Sequence, residues 1–405
     1  MQAAVHFNPF DPGFQADPFA FYRPLTAAGP LHRTRLGVWV AVGYRECAAI
    51  LGDSRFLRDH SKVPHRGGRY DPANRAVQSA AMAMLNLDGA AHDRIRGAFS
   101  PLFTRRNILR YQDEIDRGAQ ALLRHAEGAD RFDLVRDFAL PLATDTIKAM
   151  LGIGDCDSAL IQRFTTDSVI FLEPVTATAD ELVQAEQSYH RLAAQITGAI
   201  AVASDAAHPL HPIRTRVDEG ALTADEAAAN IAFVLSAGID TTVNLICAGY
   251  LTMAAQSVAA ADLANEAVIN ELLRLSPSIH MTGRVAAEDV LLGSSLIKAG
   301  SLVIVAIAAG NRDPLVFSNP DAIDPHRKGP VSLGFGAGRH FCIGVHLAKL
   351  EAAIAWSHLL RHLPPVGAGA IEIEYERRAF IRTPRRVLVR RGGADGGLTT
   401  VDNGR

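Results

Sequence analysis

A single thiol lies in a glycine-rich stretch near the C-terminal end of the chain, and it is the residue whose surroundings most suggest chemistry. The stretch runs from Phe335 to Gly344, and Gly336 and Gly338 permit a tight loop that presses against a flat ligand. Cys342 ends this loop, and apolar residues at spacings of three and four predict a helix directly after it. The start of a helix favours a thiolate, and a thiolate binds metals. A lone cysteine is more often a small buried apolar residue, so the surrounding pattern must decide between the two interpretations.

Polar residues interrupt the middle of the longest predicted helix, which is otherwise apolar. A capping box at Thr223–Glu226 starts this helix, and its pattern continues to about Ala255. The interruption is the sequence Ala-Gly-Ile-Asp-Thr at 237–241. In a structural interpretation, Thr241 donates back to a carbonyl one turn earlier and Asp240 pairs with a nearby base. In a functional interpretation, the helix opens into a notch for dioxygen and water, and Asp240 and Thr241 deliver protons to the bound oxygen.

Two further pairs have helical spacing. His92 and Arg96 are four residues apart and therefore share one face of a predicted helix, where they would otherwise be an exposed pair. Glu271 and Arg274 are three residues apart and can form an ion pair. The same spacing occurs in Glu114–Arg117, which is better interpreted as a solvated helix face, so spacing alone does not identify a site.

Together these patterns resemble the cytochrome P450 family, over the chain from about Asp17 to about Arg390. The resemblance is carried by Phe335, Gly336, Gly338, His340, Cys342 and Gly344 in the loop, by Ala237, Gly238, Asp240 and Thr241 in the long helix, and by the two spaced pairs. It implies a cytochrome P450 fold, mainly α with a small β-rich region. The length of the chain alone would predict two or three domains. The resemblance replaces this prediction with one domain at 17–391, an N-terminal extension at 1–16 and a flexible C-terminal tail at 392–405.

The resemblance also implies a role for each matching residue. Cys342 would be the proximal ligand of a haem iron, Phe335 would shield its sulfur, and Gly344 would let the next helix pass close to the porphyrin. Asp240 and Thr241 would be the catalytic acid and alcohol. A thiolate ligand favours O–O cleavage, which indicates oxygen activation. The implied ligands of the haem propionates are His92, Arg96, Arg284 and His340, and the implied structural pair beneath the haem is Glu271 and Arg274.

Composition sets limits on location and partners. The formal charge of −2 comes from 41 basic and 43 acidic residues, so no global field indicates nucleic-acid binding. The four cysteines lack the short spacings of a zinc site or a disulfide framework, which fits a reducing cytoplasm. No signal peptide or membrane anchor is expected at the N-terminus, and polar residues interrupt the apolar region 231–255. We therefore expect a soluble cytoplasmic protein without a membrane or nucleic-acid partner.

The substrate pocket is predicted mainly by the resemblance. Its expected lining residues are Leu85, Phe171, Ala237, Ile279, His280, Met281 and Ile381, although a histidine at 280 is more often simply hydrogen-bonded to its neighbours. Segment 171–180 corresponds to the mobile lid of the family. The polar segment 59–74 is expected to be a solvated charged loop, and an alternative is that Lys62, His65, Arg66 and Arg69 in it meet an anionic part of a substrate.

The implied activity is that of a monooxygenase with haem b. It would insert one atom of O2, by hydroxylation or epoxidation, into an apolar small molecule, such as a polyketide, terpenoid, steroid or carrier-bound acyl group of secondary metabolism. Electrons would come from a ferredoxin and its ferredoxin reductase, with Arg105, Arg106, Arg339 and Lys349 as a docking surface. The alternatives are a peroxide-driven peroxygenase and a haem-binding, partner-activating protein without turnover.

Overall fold

The computed structural model of the chain describes residues 5–59, 74–124, 130–171, 178–363, 371–376, 378–390 and 398–400. Within these residues helices dominate and strands are short. The helices are α1 (Pro12–Ala16), α2 (Pro18–Ala28), α3 (Tyr44–Gly52), α4 (Arg75–Met82), α5 (Gly89–Phe99), α6 (Arg105–Ile108), α7 (Gln112–Arg124), α8 (Leu140–Leu151), α9 (Ser158–Ser168), α10 (Ala179–Val202), α11 (His211–Asp218), α12 (Ala224–Ala255), α13 (Glu266–Leu275), α14 (Ile307–Gly310) and α15 (Val345–His362). The mainly helical fold with small sheets confirms the predicted fold class.

Helix α12 is the centre of the molecule. Its 32 residues begin at the predicted capping box, in which the Thr223 hydroxyl accepts from the backbone of Glu226 and the Glu226 carboxylate accepts from the backbone of Thr223. Helices α8, α9, α10 and α15 pack around it. The helix is long and apolar enough to cross a membrane, but 61% of its most apolar window is buried inside the fold. A helix that is apolar on all sides is what the core of a large domain requires.

Helices α12 and α15 approach each other closely at Gly249. A Cβ atom at this position would lie only 2.2 Å from the ring of Trp356, so only glycine leaves room for the indole. The Trp356 ring nitrogen donates to the carbonyl of Ile246, 3.1 Å away, which satisfies a polar atom that is fully buried. This contact fixes the cysteine-bearing end of the chain against the central helix.

The strands form small sheets at the edge of the helical body. They are β1 (Leu31–Arg33), β2 (Trp39–Ala41), β3 (Phe56–Leu57), β4 (Arg131–Asp133), β5 (Thr282–Ala286), β6 (Val290–Leu292), β7 (Ser295–Ile297), β8 (Leu302–Val305), β9 (Ile371–Tyr375), β10 (Pro384–Arg390) and β11 (Leu398–Thr400). In the described residues they give a five-stranded sheet in the order β1-β2-β8-β5-β3, a four-stranded sheet in the order β11-β9-β10-β4, and the hairpin β6-β7. Strand β5 is central for function because it places Arg284 beside β3 and the segment that follows it.

Both predicted end segments contain ordered structure. In the N-terminal segment, Phe14 is 3% exposed and its ring contacts Tyr22, while the carbonyls of Gln15 and Ala16 accept from Arg382. In the tail, the prediction of flexibility is wrong for β11, because its backbone pairs in parallel with β9. The edge of β9 offers free hydrogen-bonding groups, and Leu398, Thr399 and Thr400 suit a strand. The rest of the tail lies outside the described residues, as do 60–73, which contain the predicted charged loop, and 172–177, which contain most of the predicted lid.

Candidate active site

A cavity of about 340 Å³ lies between α12 and the loop that carries Cys342. It brings together residues from the two patterns that are most distant from each other in the sequence: Cys342 with its neighbours on one side, and the stretch 237–241 on the other. Most of the surface of the cavity is apolar, and the polar groups that reach it lie at a few positions. An apolar cleft with a few convergent polar groups is the usual form of a small-molecule site.

The loop before α15 has the tight geometry that its glycines predict. Gly336 and Gly338 have φ angles of +73° and +66°, in the left-handed region that favours glycine. A Cβ atom on Gly338 would lie 2.7 Å from the carbonyl oxygen of Leu51, so α3 also excludes a side chain there. The loop closes where the backbone N–H of Cys342 donates to the carbonyl of Phe335, at 2.9 Å. Cys342 therefore lies at a fixed point on the cavity wall.

The pKa of the Cys342 thiol is not lowered, although a position at the start of a helix predicts that it would be. Burial raises the pKa of this thiol, while the Gly344 backbone N–H and the Arg96 guanidinium oppose that rise without cancelling it. The protein alone therefore does not stabilise a free thiolate here. A bound metal cation would, because a coordinating thiol is deprotonated.

Of the residues that the structure describes at the cavity, Cys342 is the one that offers a thiol to a metal. Among the described residues, no group of three or more His, Cys, Asp or Glu side chains is arranged to hold a metal ion. A metal bound by Cys342 would therefore bring its other ligands with it, as an iron porphyrin does.

Four basic residues from three parts of the chain line the same cavity. They are the predicted propionate ligands His92, Arg96, Arg284 and His340. The rings of His92 and His340 lie with their centroids 4.6 Å apart, and Arg96 donates to the carbonyl of Phe341 at 2.7 Å. Arg284 is 4% exposed, and within the described part of the chain its side chain donates to the Thr282 hydroxyl and the Gly283 carbonyl alone.

Asp88 is the acidic member of this cluster. Burial alone would raise the pKa of its carboxyl, but the hydrogen bonds from the His340 ring and from the backbone N–H groups of Asp59 and Arg58 bring the pKa down to about 2. Burial lowers the pKa of His340 in spite of Asp88, so His340 is a neutral hydrogen-bond donor at neutral pH. The guanidiniums of Arg96 and Arg284 thus share this cluster with a carboxylate at Asp88, while Asp93, which contacts the His92 ring at 3.1 Å, is exposed to solvent.

The stretch 237–241 forms part of a helix that stays α-helical through it. The Thr241 hydroxyl donates to the carbonyl of Ala237 at 2.6 Å, as the structural interpretation expected. The carbonyl of Thr241 accepts from the Ser278 hydroxyl, also at 2.6 Å. Both Asp240 and Thr241 nevertheless face the cavity, so these contacts are compatible with a functional role.

Asp240 has a basic partner that sequence patterns did not reveal. Its carboxylate lies 3.3 Å from the Arg378 guanidinium, and the Thr383 hydroxyl donates to it at 3.3 Å. Burial raises the pKa of Asp240, and Arg378 and Thr383 oppose that rise only in part. Asp240 therefore retains a proton at a higher pH than an ordinary carboxyl.

Glu271 and Arg274 form a buried pair outside the cavity. Their side chains are 8% and 2% exposed and make two hydrogen bonds of 2.8 Å, and Arg327 adds a third to the same carboxylate. Arg274 also donates to the carbonyls of Asn311, Pro320 and Ala322. The pair therefore ties α13 to the long segment before the cysteine loop. In contrast, Glu114 and Arg117 are both exposed.

Six of the seven predicted pocket residues line the cavity: Leu85, Phe171, Ala237, Ile279, Met281 and Ile381. His280 does not, and its prediction as a pocket residue is wrong. In an extended segment adjacent side chains point in opposite directions, so Ile279 and Met281 face the cavity while His280 turns toward the ring of Phe19. Burial there, with nearby Arg382 and Arg312, lowers the pKa of His280 to about 3.

Sequence reasoning missed two further ionisable residues on the cavity wall, Arg58 and Glu351. Arg58 follows β3, and no spacing in the sequence connects it with the cysteine loop. Glu351 lies on α15 four residues after Leu347, which faces the cavity, so helical periodicity could have identified it. The glutamate is 2% exposed and bonds to the side chains of Thr146 and Thr242.

Glu351 gives a testable dependence of stability on pH. Burial raises the pKa of its carboxyl from 4.5 to about 8, although the hydrogen bonds with Thr146 and Thr242 oppose the rise. Below about pH 4.5 the carboxyl is protonated in both the folded and the unfolded chain, whereas at higher pH only the unfolded chain releases the proton freely. The protonated Glu351 carboxyl therefore contributes most to the free energy of unfolding at low pH, and this contribution is lost as the pH rises toward about 8.

The measurement is urea unfolding of the wild type and of Glu351→Gln over that pH range. We expect the wild type to lose stability relative to the variant as the pH rises, because glutamine keeps the hydrogen bonds but has no proton to release. The comparison between the two proteins removes the contributions of all other carboxyls. Parallel pH profiles would show that the Glu351 carboxyl titrates normally.

The residues of the cavity fit a haem. Among the described residues, one thiol faces the space without a group of other metal ligands, and the buried Arg284 guanidinium on the same cavity wall has no carboxylate partner. A haem offers what both groups lack, since it carries an iron with four ring nitrogens and two propionate carboxylates. When bound through a thiolate, haem supplies the activation of molecular oxygen.

Comparisons with known proteins agree with this fit. The family model described as Cytochrome P450 matches residues 264–389. The chain is similar to the cytochrome P450 monooxygenase PikC of Streptomyces venezuelae, with 33% identity over 367 residues, which is 87% of this chain and 85% of that protein. It is also similar to the polyketide biosynthesis cytochrome P450 PksS of Bacillus subtilis, with 27% identity over 393 residues, which is 93% of this chain and 96% of that protein.

A solved structure shows the same fold. It is that of P450BioI in complex with an acyl carrier protein that carries hexadec-9Z-enoic acid. The two chains superpose with a TM-score of 0.80 and 29% identity, over 93% of this chain and 99% of the other. The fold, the cavity with its single thiol and the similarity over nearly the whole length lead to one conclusion: this chain belongs to the cytochrome P450 family, the haem-dependent oxidoreductases that incorporate oxygen from O2.

Proposed function

We propose that this enzyme inserts one atom of O2 into a long apolar molecule, such as a polyketide or a carrier-bound acyl chain, with haem b as cofactor and a separate ferredoxin as electron donor. The observation that carries the proposal is the mainly apolar cavity in which Cys342 and the pair Asp240 and Thr241 meet. The similarity to PksS and to the carrier-bound P450BioI favours polyketide and acyl substrates over terpenoids and steroids. We infer that the enzyme works as a soluble protein of the cytoplasm.

The proposed haem site uses the side chains that surround the cavity. Cys342 supplies the proximal ligand, Phe335 and Gly344 line the same cavity, and a Cβ atom on Gly344 would lie 3.8 Å from the sulfur. Arg284 is buried and Arg96 is half-buried, which strengthens the charge-assisted hydrogen bonds that these two guanidiniums can make to carboxylates. The proposed propionate ligands are His92, Arg96, Arg284 and His340.

On the opposite wall, Asp240 and Thr241 are the proposed route for protons. A hydroxyl has one donor hydrogen and two acceptor positions, so Thr241 can rotate from the Ala237 carbonyl toward the cavity. Burial keeps Asp240 protonated at higher pH than usual, which makes it a better acid near neutrality. Arg378 holds the carboxylate after the proton has left, and a new proton can then come from solvent.

The proposed docking surface for the ferredoxin lies on the cysteine side. Arg105 and Arg106 are exposed on α6, two and three residues after Phe103, which lines the cavity near Gly344. Arg339 is exposed there too, although it pairs with Asp93, and Lys349 donates to the side chain of Asn270. Arg105 and Arg106 are therefore the more available cations for an acidic partner.

The test is turnover by the purified haem enzyme with a ferredoxin, its reductase and isotopically labelled O2. The candidate substrates are a hexadecenoyl acyl carrier protein, the free fatty acid, a macrolide polyketide, a terpenoid and a steroid. We expect one labelled oxygen atom in the product of an acyl or polyketide substrate, and a rate of reduction that falls as ionic strength rises.

Two outcomes would contradict the proposal. Turnover with hydrogen peroxide but not with the electron-transfer system would indicate a peroxygenase. Haem binding without turnover of any substrate class would indicate a binding protein. A rate of reduction that does not depend on ionic strength would contradict only the electrostatic docking of the ferredoxin.

A further inference from the structure

Arg58 is a buried cation that neither the sequence patterns nor the predicted haem ligands include. It is 9% exposed and lines the cavity. In the residues that the structure describes, its guanidinium donates to neutral acceptors alone, which are the carbonyls of Leu85 and Gly283, the side-chain carbonyl of Asn86 and the hydroxyl of Thr282. Asp88 is the nearby acid, but its hydrogen bond from Arg58 comes from the backbone N–H and not from the guanidinium.

The guanidiniums of Arg58 and Arg284 lie side by side. Both donate to the Thr282 hydroxyl, at 2.9 Å and 3.1 Å, and both donate to the Gly283 carbonyl, at 3.3 Å and 2.9 Å. Each guanidinium therefore shares these two acceptors with another positive charge. Among the residues that the structure describes, no carboxylate lies within ion-pair distance of either guanidinium.

Such an arrangement is costly without an anion. A buried charge requires a paired charge or a full set of hydrogen bonds, and two like charges at close range repel each other more strongly in a low-dielectric interior. Burial lowers the pKa of Arg58 to about 10 and that of Arg284 to about 9, so both stay positively charged at neutral pH. The nearby Asp88 provides one negative charge. The guanidiniums of Arg58 and Arg284 provide two positive charges, and Arg96 on the same cavity provides a third.

We propose that Arg58 and Arg284 together form a carboxylate-binding pair, and that the carboxylate they bind is a haem propionate, so that Arg58 is a cofactor ligand of this enzyme. The inference rests on the proposed haem site and deepens it. Two propionates with Asp88 match the three guanidiniums of Arg58, Arg96 and Arg284, so the cluster becomes neutral when the cofactor is bound.

A propionate is a better occupant than a substrate carboxylate because of the position of Arg58. Its guanidinium shares acceptors with Arg284, and Asp88 connects its backbone to His340, two residues before Cys342. The remaining donors of Arg58 hold the turn Met84–Asn86, whose Leu85 lines the cavity. Arg58 thus links the haem carboxylate to a segment of the substrate pocket.

The test compares Arg58→Gln and Arg58→Lys with wild type as ferric haem proteins. The first readout is the rate of haem transfer to apomyoglobin, and the second is the ferric/ferrous midpoint potential. We expect Arg58→Gln to lose haem about tenfold faster, which corresponds to the loss of one hydrogen bond between charged groups. The potential should become more negative, because removal of a positive charge favours the ferric state. Arg58→Lys should keep the potential nearer to that of wild type, since it keeps the charge.

Reconstitution with haem dimethyl ester provides the decisive comparison. The ester has no carboxylates, so wild type and Arg58→Gln should then lose the cofactor at similar rates. A difference that persists with the ester would show that Arg58 only supports the structure, and it would overturn the proposal. Arg55→Gln is the matched control, because Arg55 is exposed, pairs with Asp53 and does not line the cavity.

A substrate carboxylate would give a different result. Arg58→Gln would then lose haem no faster than wild type does, but would lose the spectral response to dodecanoic acid while it keeps the response to 1-dodecanol. That result would overturn the assignment to the cofactor. If Arg58→Gln does not fold, the rates of haem loss from Arg58→Lys with native haem and with the dimethyl ester decide, since lysine lacks the fork that can bond to a carboxylate and to neighbouring carbonyls at once. Absence of a haem-thiolate spectrum in wild type would contradict the proposed function itself.

Discussion

Replacement of Cys342 by serine is expected to abolish the red-shifted Soret band that the reduced, carbon-monoxide-bound protein shows when a thiolate ligates the iron. A serine hydroxyl does not ionise in the accessible pH range, and it is a harder ligand than a thiolate. The fold should tolerate the change, because Cys342 is only partly buried and its hydrogen bond to Phe335 comes from the backbone. The measurement is the absorption spectrum of the reduced protein with carbon monoxide, together with its haem content.

Cys156→Ser is the matched control for this experiment. Cys156 is also a free cysteine, and it is buried, but it follows α8 and does not line the cavity. It should therefore retain the red-shifted band in full. If Cys342→Ser kept the band, or if Cys156→Ser lost it, Cys342 could not be the proximal ligand, and the haem site proposed here would be wrong.

The strongest sequence signals were local, and the structure explains why they were strong. The capping box at Thr223–Glu226 depends on residues three apart in the chain, and both of its hydrogen bonds are present. The tight loop depends on the φ angles of Gly336 and Gly338, which few other residues adopt. In both cases the physical cause lies within a few residues, so a single sequence contains it.

The parts that sequence reasoning missed depend on contacts between distant segments. Arg58 reaches the Gly283 carbonyl across 225 residues of chain, and Asp240 meets Arg378 across 138. His280 was assigned to the pocket because of its neighbours, but the direction of its side chain depends on how the extended segment lies against α2. No periodicity in a single sequence encodes these pairings.

The structure also changes the interpretation of a motif that was recognised correctly. The sequence offered a structural and a functional interpretation of Asp240 and Thr241 as alternatives. In the structure the structural contacts are present, since Thr241 donates to Ala237 and Asp240 pairs with Arg378, and both residues still line the cavity. The two interpretations are therefore compatible, and the same contacts that satisfy the buried polar groups can hold them in position for proton transfer.

The second large effect is expected for these two residues. Asp240→Asn should lower the rate of product formation by about 100-fold, because a positioned acid typically contributes a factor of this size or more. Thr241→Val removes the hydroxyl and keeps the side chain close in shape. We expect it to consume reductant but to release much of the reduced oxygen as hydrogen peroxide, since O2 that has received two electrons and two protons without O–O cleavage leaves as peroxide.

The measurements are product formed, reductant consumed and hydrogen peroxide released, each in the same reaction. Thr252→Val is the matched control, because Thr252 lies on the same helix but bonds to Ser276 and does not line the cavity. It should leave the ratio of product to reductant unchanged. Normal coupling in both Asp240→Asn and Thr241→Val would show that protons reach the oxygen by another route. Glu351, buried between α8, α12 and α15 on the wall of the cavity, would then be the next acid to test.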